Sequence, residues 1–200
     1  MDYNMQLTQA AGALVAEVLG GKLSFKTYPI EHGNTVVWEF GGYPLWPSGK
    51  PGKVFVCFPR NTFTMRGNTM KMQPLNQAQC KFFQGDLHAR TAFAHAHVYP
   101  SGTPCWSQGR YDRVPGFLQV VVETLTLHSI TETSVKKGLC ATTLMGVGEE
   151  ALQAARRQNQ VVLRALRPLP VVQDSARLAQ YLSTRWPAVL DQIMLHKGRS

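Results

Sequence analysis

Residues 95–106 read His95-Ala96-His97-Val98-Tyr99-Pro100-Ser101-Gly102-Thr103-Pro104-Cys105-Trp106, and they bring one cysteine directly out of a Pro-Ser-Gly turn. Proline and glycine together mark a chain reversal, and a thiol delivered at the end of a turn is displayed as a nucleophile would be. Pro104 removes one backbone donor just before the cysteine. Any oxyanion hole is therefore expected to draw on the N–H groups after Cys105. Trp106 reads two ways: an exposed indole that meets a bound partner, or a buried one.

Outward from this stretch, the pattern is helix, strands, then helices. Residues 4–19 place Leu7, Ala11, Leu14, Val15 and Val18 at helical spacing, and Gly20-Gly21 ends the run. Residues 23–30, 35–40, 53–58 and 69–72 are short β-rich runs separated by Gly, Pro and Asn, which predicts a four-stranded antiparallel meander. Residues 73–94 show no period and are expected to be an irregular, functional connection. Pro115, followed by Leu118, Val121, Val122 and Leu125, predicts a buried helix behind the cysteine. Glu149 and Glu150 open a further helix with Arg164 and Arg167 near its end and Pro168 as its stop. A last helix starts near Asp174 or Ser175 and is expected to break at Trp186-Pro187.

Composition sets the bounds. With 200 residues, 44% hydrophobic and 16% charged, the chain suits one domain over 1–200, with 168–200 a helical extension packed on it. It has neither a long apolar span nor a basic-then-apolar leader, so a cytoplasmic protein with no membrane partner is expected. Cys57, Cys80, Cys105 and Cys140 are scattered, with no Cys-x-x-Cys pair, which speaks against a zinc ribbon and for a reducing compartment. Cys57 and Cys140 lie in apolar runs and read as core thiols, while Cys80, beside Lys81, is left open. Residues 1–135 carry 11 Lys and Arg against 8 Asp and Glu, and residues 136–200 carry 10 against 4. That excess lies along helices without aromatic interleaving, so it reads as a solvated face, and nucleic acid is not expected as a partner.

The stretch His95 to Trp106 resembles the active-site segment of ubiquitin-conjugating enzymes. There a His-Pro-Asn triplet, an apolar or aromatic pair, a Pro-Ser-Gly type turn and the thioester-forming Cys follow in that order, and the spacing here matches without a gap. Val36-Val37-Trp38-Glu39-Phe40-Gly41-Gly42-Tyr43 and Val54-Phe55-Val56-Cys57-Phe58-Pro59 are similar to that family's second and third strands, so the likeness spans roughly residues 7–130. It implies an α/β (α+β) ubiquitin-conjugating-like fold: an N-terminal helix, a four-stranded antiparallel meander, the active-site loop, a central helix and extra C-terminal helices. It also implies a transferase that takes a ubiquitin-like protein from an adenylating, ThiF-like activating enzyme as a thioester and passes it to an amine on a target protein. No cofactor or metal is implied. Bacterial gene clusters of this kind often serve antiphage defence or accompany mobile elements and share operons with JAMM-type isopeptidases, so the resemblance adds one of these as a pathway partner.

On that resemblance, Cys105 is the nucleophile. His97 stands in the place of the family Asn, where it would support the oxyanion or the loop. Tyr99 takes the position near the incoming amine, and His95 matches the triplet residue that holds the loop. Three departures mark the chain as divergent. His95-Ala96-His97 replaces His-Pro-Asn, no Lys or Arg precedes Lys22, and residues 75–94 and the C-terminal third depart from the usual pattern. A thiolate is favoured by nearby cations, and Arg110, Arg113 or a protonated His are the candidates.

Rival readings use the same residues. A His-x-His pair begins the zinc motif of JAMM-type isopeptidases, but Val98 follows His97 and Arg110 stands three places after Ser107, where that motif wants Pro and Asp. The zinc-deaminase pattern is missing too, because Gln108 occupies the place of its second Cys. A cysteine hydrolase built from Cys105 with His95 or His97 lacks any accompanying signature. A catalytically inactive adaptor of the same fold would bind a ubiquitin-like protein without needing Cys105.

Overall fold

The computed structural model describes residues 2–127, 146 and 148–198. Its first element is helix α1, Tyr3–Leu19, where the Asp2 carboxylate caps the N-terminus by accepting from Met5 N at 2.8 Å. Leu7, Ala11, Leu14, Val15 and Val18 form the buried stripe that their spacing predicts. Gly12 lets this helix approach the sheet, since a Cβ there would stand 2.3 Å from Phe25 Cζ and 2.7 Å from the Trp38 indole nitrogen. That nitrogen donates to Thr8 O at 3.0 Å.

The strands are β1 Ser24–Ile30, β2 Thr35–Pro44, β3 Pro51–Pro59, β4 Phe63–Arg66, β5 Thr69–Met72, β6 Leu75–Asn76, β7 Lys81–Gln84 and β8 Arg110–Tyr111. The main sheet is antiparallel in the order β1-β2-β3-β7, and the architecture is α+β. Its fourth strand corrects the sequence expectation. Thr69–Met72 pairs with Phe63–Arg66 in a separate hairpin, and Lys81–Gln84, inside the segment expected to be irregular, completes the sheet. Phe82 and Phe83 are both buried, one on each face of the sheet, so this strand shows no in-out alternation to betray it.

The helices cover one sheet face. Trp38 sits at the centre, 4.7 Å from the Phe58 ring and 5.8 Å from that of Phe117, which comes from α2, Val114–Leu125. Each fully buried ring of this kind stabilises the fold by roughly 1.5–3 kcal/mol. Helix α3, Gly148–Leu166, ends just before Pro168, and Leu169 N then donates to Val18 O at 3.0 Å, which returns the chain to α1. Helix α4, Ser175–Lys197, buries Leu178, Leu182 and Trp186 in the same core. The expected break at Trp186-Pro187 does not occur: α4 runs on through Pro187. The ring removes one backbone donor, and burial of Trp186 and of the leucines one and two turns earlier holds the helix across that gap. Among the described residues, no helix is long and apolar enough to cross a membrane.

Candidate active site

The outer edge of β7 carries the segment that holds Cys105. Phe93 N donates to Phe82 O at 2.9 Å, Gln84 N to Thr91 O at 2.9 Å, and Phe82 N to Gly102 O at 2.8 Å. The chain that would otherwise leave a bare sheet edge is thus stitched along it. Beyond residue 94, whose amide donates to the Gln84 side chain at 2.9 Å, the backbone turns into a small hairpin.

The hairpin follows from its turn residues. Gly102 N donates to Tyr99 O at 2.8 Å and Tyr99 N to Thr103 O at 2.8 Å, with Gly102 at φ +88°. Pro100 suits the first corner and Gly102 the left-handed position of a three-residue loop. A side chain at 102 would also collide with Phe83, 2.7 Å away. Cys105 follows on the returning strand and is half-buried.

Residues 97–99 hold Cys105 at three points. Its N–H donates to His97 O at 2.5 Å. Its carbonyl meets His97 Nδ1 at 3.1 Å, and because a carbonyl only accepts, Nδ1 carries the proton. Its sulfur stands against the Tyr99 hydroxyl, and this neighbour raises the Tyr99 pKa above the ordinary phenol value. Tyr99 therefore keeps its proton and donates toward the sulfur. Burial lowers the His97 pKa from its usual 6.5, opposed by the bond to Cys105, so the ring is neutral at neutral pH.

His95 is fully buried, stacked 6.0 Å from Phe93, and its Nδ1 accepts from His97 N at 2.8 Å. That acceptance puts its proton on Nε2, which is buried and has no hydrogen-bond partner among the described residues. Burial pushes its pKa well below the ordinary imidazole value of 6.5, with His97 adding to the effect. His95 therefore shapes the loop that positions His97.

The two readings of Trp106 resolve here, and one expectation changes. Trp106 is buried, not displayed: its indole N–H donates to Thr124 Oγ1 at 3.2 Å, and its ring packs edge-on against Phe82 and Tyr111. Its backbone N–H, expected to remain available after Cys105, donates to Gln77 Oε1 at 3.0 Å. Arg110 lies in β8 and Arg113 caps α2, whereas the groups bonded to Cys105 are His97 and Tyr99. The other described thiols are core residues. Cys57 is buried, with its pKa pushed up to about 12, and Cys80 is fully buried, which raises its pKa well above the ordinary thiol value of 9.0. Cys140 lies outside the described residues.

Two neighbours of the site, Gln77 and Lys81, had no signature in the sequence. Gln77 anchors Trp106, while Thr103 and Lys81 hydrogen-bond to each other through Oγ1 and Nζ. Alternation along 103–106 would have placed Thr103 beside Cys105, but Lys81 and Gln77 arrive through tertiary packing. No group of three or more His, Cys, Asp or Glu side chains able to hold a metal is found among the described residues. Compared with family models, curated proteins and solved structures, the chain matches none.

Proposed function

We propose that the protein is a ubiquitin-conjugating-like transferase that carries a ubiquitin-like protein as a thioester on Cys105. One observation carries the reading. Of the three described thiols, Cys105 alone is half-buried while Cys57 and Cys80 are buried, and its backbone and sulfur both meet neighbouring side chains. In the first step, the Cys105 thiolate attacks the activated C-terminal carbonyl delivered by an adenylating activating enzyme, a C–S bond forms, and the activating group to which that carbonyl was bonded leaves. In the second, an amine on a target protein attacks the thioester and Cys105 leaves as thiolate. Tyr99 donates to the sulfur when it is anionic, which stabilises the thiolate both as attacking and as leaving group. His97, with Nδ1 committed to the Cys105 carbonyl, supports the loop.

The partners on this reading are the activating enzyme, the ubiquitin-like protein, the target and, in the same pathway, a JAMM-type isopeptidase. The setting is the cytoplasm, in a bacterial antiphage conjugation system. The sequence of the 95–106 stretch and an α+β frame whose sheet edge bears it support the assignment. To test it, the chain is incubated with activating enzyme, carrier and ATP and run on a non-reducing gel. A thiol-labile adduct is expected that Cys105→Ala abolishes and Cys80→Ala retains. A complex that is only non-covalent would favour the adaptor reading instead.

A further inference from the structure

The sheet face turned away from α1 and α2 carries a separate apolar cluster. Val37, Phe55, Cys57 and Phe83 form it, and Tyr28, Ile30 and Leu87 pack onto it. Over part of this face lies an open cavity of about 430 Å³, with Ile30, Cys57, Phe83 and Leu87 in its wall. That volume falls within the range of small-molecule sites. Charged groups line the same cavity. Arg90, just after the short helical turn Leu87–Ala89, pairs with Glu31 at 2.9 Å, and the other Glu31 oxygen accepts from the Thr35 hydroxyl at 2.9 Å. The charges of Arg90 and Glu31 both reach the Cys57 thiol, which sets the ion pair beside the apolar wall. Lys81 of β7 is differently placed. Its ammonium has one hydrogen-bond partner among the described residues, the neutral hydroxyl of Thr103, whereas an ammonium carries three donors. With Arg90 and Glu31 offsetting each other and His88 counted neutral, the lining holds one net positive charge, on a half-buried lysine.

We propose that this cavity is a binding site for a small amphipathic monoanion, a carboxylate carried on an apolar body. The body lies on Ile30, Cys57, Phe83 and Leu87, and the carboxylate accepts from the Lys81 donors that Thr103 leaves over. Burial of the body supplies affinity in proportion to the apolar area taken from water. The charge-assisted hydrogen bond selects the head group, since a cation would meet Lys81 as a like charge and a dianion would find one uncompensated cation. The site is separate from Cys105 and does not depend on the thioester reading. It nevertheless touches what anchors the hairpin: Lys81 holds Thr103, and Phe83 is the ring that a side chain at position 102 would strike at 2.7 Å. An occupant therefore rests against both anchors.

The test titrates the full chain calorimetrically at pH 7.5 with octanoate, 1-naphthoate, octylamine and acetate, and follows backbone amide shifts by NMR in parallel. Saturable one-to-one binding of octanoate or 1-naphthoate is expected, the tighter of the two showing whether the body is alkyl or aromatic. Octylamine and acetate should each bind at least tenfold more weakly, and the largest shift changes should fall at Ile30, Cys57, Phe83 and Leu87. Lys81→Gln should weaken carboxylate binding at least tenfold and Lys81→Arg should restore most of it. Leu87→Trp, a change in a surface turn that fills the cavity, should abolish binding, with urea midpoints showing that each variant is folded. No saturable binding of either carboxylate overturns the proposal, as does octylamine binding as tightly as octanoate. So do shift changes on the natural chain that fall elsewhere, a result that needs no variant to fold.

Discussion

Cys105 and the pair Cys57 and Cys80 belong to adjoining parts of one structure, yet they meet opposite surroundings. Cys57 points from β3 into the apolar cluster of Val37, Phe55 and Phe83, and Cys80 is enclosed just before β7. Cys105, one hairpin away, has a phenol on its sulfur and an imidazole on its carbonyl. The difference shows that the half-exposed thiol is made by two-residue alternation in a strand that leaves the sheet edge. The sheet itself only supplies anchorage. The contrast can be broken or sharpened by experiment.

The largest effect expected is in thiol labelling. With N-ethylmaleimide at pH 7.5 and peptide mapping, Cys105 should react on the order of a thousandfold faster than Cys80, which is reached only when the fold opens, and well ahead of Cys57, whose burial pushes its thiol pKa up to about 12. Comparable rates at all three positions would erase the distinction. Next comes the hairpin itself. Gly102→Ala forces a side chain onto φ +88° and into Phe83, so urea unfolding should show a loss of about 2–4 kcal/mol. An unchanged midpoint would mean that the turn is not held as described.

A smaller effect separates the buried imidazole from the open face. His95 has a folded-state pKa well below 6.5 because it is buried. At low pH the unfolded chain therefore binds a proton that the folded one refuses. That contribution is fully present above about pH 6.5 and is lost as pH falls below it, with a slope approaching about 1.4 kcal/mol per pH unit. Urea midpoints at pH 7.5 and 5.5 should show the decline, and His95→Gln should flatten it. The smallest effect belongs to Tyr99→Phe. Losing one hydrogen bond to the sulfur should slow Cys105 alkylation about three- to tenfold at pH 7.5 with little change in stability. No slowing would remove Tyr99 from the site.

How much of this could be read from residues alone depends on range. Helix α1, the first three strands and α2 follow from local periodicity and from Gly20 and Pro115, and each is found where the pattern puts it. The Pro100-Ser101-Gly102 turn was equally legible, because its requirement is local. Strand β7 was not. Its run Lys81-Phe82-Phe83-Gln84 is four residues long and buries adjacent phenylalanines on opposite faces, while Thr69–Met72, with its alternating pattern, offered a better-looking strand that pairs elsewhere. Lys81 and Gln77 reach the site only because β7 and β6 pack against residues 22 and more positions later in the chain. The run through Pro187 depends on tertiary burial of Trp186, which propensity cannot foresee.

The central claim is that the Cys105 position receives an acyl group from another protein's C-terminus. Its most direct test is intact-mass analysis of the Cys105→Ser variant after incubation with activating enzyme, carrier and ATP. The account predicts an added carrier mass that survives thiol, is released by mild alkali and maps to position 105. An unmodified mass for this variant, together with no thiol-labile adduct on the natural chain, would contradict it.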